Sequence, residues 1–478
     1  MNELPCPEGL DPAVWASMPP VGQAFVQGLL TQVQALQAQV SELSARLGQH
    51  SGNSSRPPSA DPPSAPRRPR RPPRGKRRGA QAGHPGAHRA LLPPEQVDDL
   101  QLHRPLCCPH CRVDLPPALP PCAPVERRQI VEVPAVRPHV TEHQLLCVQC
   151  PHCARTVRAR MPGDAPPGAF GPNLIALVAL LHGRFRLSER EVRSLLGDLF
   201  GIDLALGSVA AACQTVSAAL APPYQQVQKA LATQEVANAD ETGWKQAGQR
   251  RWLWVAVSGI CTLFMVAAGR NQAALSALLG GFQGVLGSDR LCTYDVVPLP
   301  RRQLCWAHLK RNILWFSERD GAVKQWADQL LEHVAALFQH WHQFKSGQIE
   351  RAELVRRMAP VQQQVQALLE QGQRLPLPKA VTFSREVLER WRGLWAFIYV
   401  DGVEPTNNAA ERALRPAVLW RKGCFGAQSE EGNQFVERLL TVRATCAQQE
   451  RHLWTFLSEA VSAHWANKPP PVLVSTLS

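Results

Sequence analysis

The chain has 478 residues, 45% of them hydrophobic, and 52 basic against 39 acidic side chains give a formal net charge of +13. That length suggests several domains and a sizeable core, and the basic excess points to an anionic partner, nucleic acid first. Met1–Leu10 has neither a basic start nor an apolar run, so no secretory signal is read there, and the 14 cysteines then read as metal ligands or buried thiols rather than a disulfide scaffold.

Of the 42 prolines, 30 lie at or before Pro172, so an irregular N-terminal third precedes a more regular remainder. Residues 1–50 form a helical segment with a heptad: Val26, Val33, Val40 and Leu47 recur at one position, Leu29, Leu36 and Leu43 at the other. β-Branched residues at a with Leu at d favour a parallel two-stranded coiled coil, hence a homodimer or higher oligomer. The alternative is an amphipathic helix packing on its own protein. Residues 51–100 are a Pro/Arg-rich linker whose composition cannot bury a core. It carries Arg67, Arg68, Arg70, Arg71, Arg74, Lys76, Arg77 and Arg78, an arm suited to non-specific phosphate contact; a solvated linker is the bland alternative.

Residues 101–165 repeat one phrase, C-P-H-C, at Cys108–Cys111 and Cys150–Cys153. Two such pairs complete a tetrahedral site for one structural Zn²⁺ in a zinc-ribbon-like, DNA-binding unit. The alternative is two reduced pairs without metal, and Cys107 and Cys147 are adjacent competitors. Gln129–Pro134 and Val140–Cys147 read as strands of a hairpin between the pairs. Residues 166–232 read as helices that either read DNA or pack; Ser188 and Glu191 have capping-box spacing. Trp252–Gly269 is 18 residues without a charge. Its Ser258-Gly259 centre and its Val, Trp, Ile and Phe content favour two strands and a turn over a membrane span, so no membrane partner is expected.

From residue 233 the pattern is strands at Glu235–Asp240, Arg251–Ser258 and Cys261–Ala268, a helix at Gln272–Leu279, then a strand at Gly284–Asp289. Three strands, a helix and a strand open an RNase H-like domain, in which the first and fourth strands are neighbours. Asp240 and Asp289 would then converge as ligands for two Mg²⁺ (or Mn²⁺) ions, which prefer hard oxygen donors and can hold the attacking and leaving oxygens of a phosphoryl transfer. A third acid is needed. Glu411 is one candidate, three residues after Asn408, the expected N-cap, so a capping-box role competes with a catalytic one. Glu241, Asp295, Asp401 and Glu404 remain open beside it. His308, at a strand-to-helix junction, is either structural or a phosphate or carboxylate contact. Arg412, Arg415, Arg421 and Lys422 surround the third acid, as DNA contacts or as a solvated face.

Asp240-Glu241-Thr242-Gly243-Trp244, Ser288-Asp289-Arg290, Cys305-Trp306-Ala307-His308, Asn407-Asn408-Ala409-Ala410-Glu411-Arg412 and Arg421-Lys422-x-x-Phe425-Gly426 together resemble the insertion sequence 66 family of DDE transposases. The zipper, Asn53-Ser54-Ser55, Gly83-His84-Pro85-Gly86, the C-x-x-C pairs, Thr441–Cys446 and Pro469–Pro471 follow that family's order, so the resemblance covers nearly the whole chain. The arginine- and proline-rich arm is a departure. The resemblance implies that Asp240, Asp289 and Glu411 are the catalytic triad and that about 320–395 is a helical insertion. The expected fold is multidomain α+β, with an RNase H-like catalytic domain over 233–430 and a helical segment over 431–478. The expected function is cleavage of transposon ends and their joining to target DNA, in the bacterial cytoplasm and on the nucleoid when bound, with accessory proteins of the same element as further partners. The alternative is a non-catalytic, zinc-containing dimeric DNA-binding regulator.

Overall fold

The computed structural model describes residues 6, 12–47, 90–117, 119–120, 126–163 and 165–474. They fall into two compact units, residues 90–139 with 199–201 forming the smaller one. In the smaller unit a short helical turn at Pro94–Gln96 precedes the first cysteine pair, and the Gln129 side chain bonds both the N–H and the carbonyl of Leu92.

The larger unit is built on a five-stranded sheet. Strands β3 (Val236–Gln246), β4 (Gln249–Ser258) and β5 (Thr262–Ala267) form an antiparallel meander. The β3–β4 turn is Ala247-Gly248, with φ of 47° and 78°; two positive φ values suit a two-residue hairpin following the strand twist. The two strands expected over Trp252–Gly269 are β4 and β5, and no helix among the described residues is long and apolar enough to cross a membrane. After β5, α6 (Gln272–Leu279) is opened by the Asn271 side chain, which accepts from the Ala274 N–H at 3.0 Å, and is closed by left-handed Gly280. The chain returns as β6 (Val285–Ser288), parallel to β3, and then β7 (Arg302–Leu304), parallel to β6. The sheet order is β5-β4-β3-β6-β7.

Helices α7 (Trp306–Ser317), α8 (Gly321–Lys345), α9 (Arg351–Gly372), α10 (Pro378–Glu389) and α11 (Ala396–Tyr399) follow. They share one aromatic-rich core, with Trp306, Trp326, Phe316, Phe383 and Phe397 buried. Helix α12 (Asn408–Cys424) then returns to the sheet and packs on β3 and β4. Helices α13 (Glu430–Gln448) and α14 (Leu453–Trp465) pack with α3 (Pro172–Ala179) and α5 (Leu206–Ala232). A π-helical turn at Leu180–Arg184 continues α3, and α4 (Glu189–Phe200) begins with the expected capping box: the Ser188 N–H donates to Glu191 at 2.7 Å, and the Glu191 N–H to the Ser188 hydroxyl at 3.2 Å.

Helix α13 seals the outer edge of β5. Its residues Glu437, Thr441 and Thr445 accept from the N–H groups of Val266, Phe264 and Thr262 in turn. Four helical residues rise about 6 Å and two strand residues about 6.6 Å, so the two repeats stay in step. An edge strand whose donors are satisfied in this way offers no template for pairing with another chain.

Three expectations are corrected. Gln129–Pro134 is not a strand, and of Val140–Cys147 only Cys147 is in one: Pro134 lacks the ladder donor, and Ile130, Val133 and Val140 stay exposed. The hairpin here is instead β1 (Cys147–Gln149) with β2 (Thr156–Arg158), flanking the second cysteine turn. Strand β3 runs six residues past Asp240, because it continues its antiparallel pairing with β4 after leaving β6. The N-cap of α12 is Asn407 rather than Asn408, and no side chain caps that helix.

The N-terminal segment is α1 (Pro12–Ser17) and the long α2 (Pro20–Leu47). On α2, Leu29, Val33, Leu36, Val40 and Leu43 are exposed and Val26 is half-buried.

Candidate active site

The two aspartates are placed by strand register. Strands β3 and β6 pair over Val236–Asn238 against Val285–Gly287. Asp240 and Asp289 each follow the last pair, Asn238 and Gly287, by two residues, at the same level where the strands part. The third acid is brought in by a polar latch. The Asn407 side chain donates to the Ala239 carbonyl at 2.7 Å and accepts from the Asn238 amide at 3.0 Å, while its backbone N–H meets the Cys305 sulfur at 3.2 Å. This buried asparagine fixes the start of α12 against β3, and Glu411, one turn later, lies beside Cys305 and His308 and close enough for its charge to act on Asp240. Gly287 is required beneath it, since a Cβ there would lie 2.2 Å from the Asn238 amide nitrogen.

Electrostatics couple the three acids. Burial pushes the Asp240 carboxyl up to about 8, the neighbouring Glu241 charge adds to this, and Asp289 and Glu411 push in the same direction. A carboxyl stays this reluctant to ionise when no cation offsets the desolvation and like-charge terms. Glu411 Oε1 is buried without a hydrogen bond, and the nearest ionisable group on it is His308 Nδ1 at 3.7 Å, also unbonded. Burial lowers the His308 pKa, against the pull of Glu411 and Asp289, so the imidazole is neutral at pH 7. The Cys305 thiol, pushed up by burial, accepts backbone N–H groups of Asn407, His308 and Ala307. Among the described residues, Cys305, His308 and Glu411 are the group whose donor atoms all lie within 4.8 Å of one another.

The rival acids are all spent on cations. Glu241, buried, takes the Arg270 guanidinium at 2.7 Å and the Tyr294 hydroxyl. Asp295 bridges Arg302 and Arg390, Asp401 pairs with Arg351, and Glu404 lies 3.3 Å from Lys345. The capping role for Glu411 also fails geometrically, because Asn407 makes no side-chain cap bond and the Glu411 carboxylate reaches no N–H.

Of the basic residues, Arg412, Arg415 and Lys422 are exposed. Arg421 is committed to the strand, donating to the Thr242 hydroxyl at 3.2 Å and to the Gly243 carbonyl. The arm residues Arg67, Arg68, Arg70, Arg71, Arg74, Lys76, Arg77 and Arg78 lie outside the described residues, as do Asn53–Ser55 and Gly83–Gly86.

The two cysteine turns, each taken by itself, have one conformation. The Cys108 N–H donates to Val113 O and Arg112 N–H to Cys108 O; the Cys150 N–H donates to Arg155 O and Ala154 N–H to Cys150 O, all at 2.8–2.9 Å. The fifth residue is left-handed in both, Arg112 at φ 62° and Ala154 at φ 55°. The first sulfur of each accepts backbone N–H groups from the fourth and third residues, which lowers its pKa and favours the thiolate a metal needs. Cys107 and Cys147 sit on the flanking arms, opposite Asp114 and Arg158, and not in the turns.

Sequence reasoning missed Asn238 as a positioning residue; an asparagine inside an otherwise apolar strand is its signal.

The model of the Transposase IS66 family matches residues 167–435, and that of a family of unknown function matches residues 13–90. Similar curated proteins include "Uncharacterized protein y4hP" of Sinorhizobium fredii, 24% identical over 338 residues that cover 62% of this chain and 60% of that protein. "Uncharacterized protein y4qI" of the same organism is 24% identical over 197 residues, 37% of this chain and 35% of that protein. The chain thus matches less than two thirds of the length of either relative. With the transposase family match extending over more than half of the chain, from α3 through the sheet and α12 into α13, the chain belongs to the IS66 transposase family.

Proposed function

We propose that the chain is a DDE-type DNA transposase with an RNase H-like core, cleaving transposon ends and joining them to target DNA through Asp240, Asp289 and Glu411. The observation that supports this is electrostatic: Asp240, on β3, is pushed up by burial and also feels the charges of Asp289, after β6, and Glu411, on α12, while each rival acid is held in an ion pair. Hard carboxylate oxygens that repel one another are what Mg²⁺ or Mn²⁺ binds, and Asp240, Asp289 and Glu411 would hold it. When bound, the metal supplies Lewis-acid stabilisation of the attacking and leaving oxygens. The protein's own part is positional. The Asn238–Asn407 latch sets the distance of Glu411 from the strands, Glu241–Arg270 anchors β3 from behind, and neutral His308 flanks Glu411 without neutralising it. In end cleavage, water oxygen bonds to phosphorus, the bond from phosphorus to the 3′ oxygen breaks, and that oxygen takes a proton. In joining, the freed 3′ hydroxyl attacks a target phosphodiester in the same way.

The sheet order, with β3 between β4 and β6, supports the RNase H-like reading. The matching cysteine turns support one structural Zn²⁺ shared by Cys108, Cys111, Cys150 and Cys153. The exposed stripe of α2 supports self-association. The exposed Arg412, Arg415 and Lys422 support DNA contact beside the third acid.

The test is cleavage of a duplex carrying the element's own end with Mg²⁺ present. Asp240→Asn should lower cleavage by at least about 10³-fold, the scale of losing about 4 kcal/mol of transition-state stabilisation, while DNA affinity stays within a few-fold. Near-normal cleavage by that variant would overturn the proposal.

A further inference from the structure

Helices α7 and α10 border an open, surface cavity of about 460 Å³ that reaches Arg290, the residue after Asp289. Its α7 wall includes Asn312 and Trp315, four and seven residues beyond His308 and so on the same helix face. At 1.5 Å per residue, Trp315 lies about 10 Å along the helix from His308, which flanks Glu411. That is about three nucleotide steps of a DNA strand.

The lining has a distinct chemistry. Lys379 Nζ lies 4.8 Å from the Trp315 ring centroid, and Arg319 Cζ lies 3.9 Å from it without lining the cavity. Arg290 Cζ lies 5.1 Å over the Phe383 ring, and Glu386 holds its guanidinium at 2.8 Å. Two cations therefore line the space against one carboxylate, beside an indole that is only half-buried. A flat π face beside cations matches a nucleotide, with a base to stack and a phosphate to pair. The volume lies toward the small end of ligand sites and suits one nucleotide rather than a base pair.

We infer that this cavity receives one unpaired nucleotide of the DNA strand held at the carboxylates, its base against Trp315 and its phosphate at Arg290 and Lys379. The inference rests on the transposase reading of that site. Stacking on Trp315 returns part of the cost of unpairing, so the strand is held distorted next to the reacting phosphodiester. Glu386 keeps the Arg290 side chain aimed into the cavity.

The test uses the full chain without divalent metal and two duplexes that differ only in one unpaired 2-aminopurine. Binding is read by anisotropy and stacking by quenching of 2-aminopurine. The wild type should prefer the unpaired probe by about 5- to 50-fold, the scale of one base–aromatic stack, and quench it. Trp315→Ala should abolish the preference and the quenching while leaving affinity for the paired duplex within twofold. Trp315→Phe should keep part of both, and Lys379→Gln should lower the preference. These two variants decide the matter if Trp315→Ala does not fold. Equal binding of the two probes by the wild type, or an undiminished preference in folded Trp315→Phe and Lys379→Gln together, would overturn the inference. The assay needs no cleavage. Active Asp240→Asn with the preference intact removes the catalytic reading and leaves the pocket, whereas inactive Asp240→Asn with equal probe binding does the reverse.

Discussion

Asp240 and Glu241 are adjacent on β3 yet point to opposite faces of the sheet; burial pushes both carboxyls up, but Glu241 alone has a cation and a hydroxyl to offset it. Glu241 is paired and its side chain is fully buried; Asp240 accepts a backbone N–H, and the charges acting on it are those of other acids. Glu241→Gln should therefore destabilise the protein by about 1–3 kcal/mol, since it leaves Arg270 without its partner, and half-exposed Arg270 regains some water. Asp240→Asn should instead raise the melting temperature at neutral pH, because it removes a carboxyl the fold penalises for ionising. Differential scanning calorimetry of the two variants checks both signs. Glu437 gives a pH-dependent case away from the site. Burial holds its carboxyl up to about 7 against an ordinary value of 4.5. The folded state thus keeps a proton the unfolded chain has lost, and the stability tied to it is complete below about pH 4.5 and lost as pH rises through about 7. Glu437→Gln keeps the acceptor for the Val266 N–H without the charge. It should add about 1–3 kcal/mol at pH 8 and almost nothing at pH 4 in urea unfolding.

The α13–β5 contact shows what two elements do that neither does alone. Strand β5 was legible from its β-branched and aromatic content, and α6 was expected with the bounds it has, Gln272–Leu279. The side-chain ladder was not, although Glu437, Thr441 and Thr445 stand at helical spacing, because nothing local says which strand edge a helix will meet. Thr441→Val leaves the buried Phe264 N–H without an acceptor and should cost about 1–3 kcal/mol, with thermal unfolding as the check. The same distinction explains the missed strands between the cysteine pairs. Val140–Cys147 has no apolar alternation, and of its residues only Cys147, at the start of β1, finds a strand partner, at Arg158. The overlong β3 is the converse: Thr242–Gln246 carries weak strand signals and is held by its ten-residue pairing with β4.

At the scale of the molecule, function depends on parts distant in sequence. The exposed a and d residues of α2 call for a second helix, so Leu36→Asn should shift the chain toward monomer in sedimentation without altering metal-dependent chemistry. The reduced protein should carry about one zinc per chain by metal analysis, and Cys108→Ser with Cys111→Ser should release it. The aspartates were readable because strand order alone predicts their convergence. The third acid was not, because a glutamate near a helix start has two ordinary uses; the missing cap bond speaks against one of them. Glu411→Gln is therefore the most direct measurement of the central claim, with end cleavage, strand transfer and thermal stability read on one preparation. The account predicts that both activities fall together by several orders of magnitude while the melting temperature is unchanged or higher. An active protein with a lowered melting temperature would contradict it.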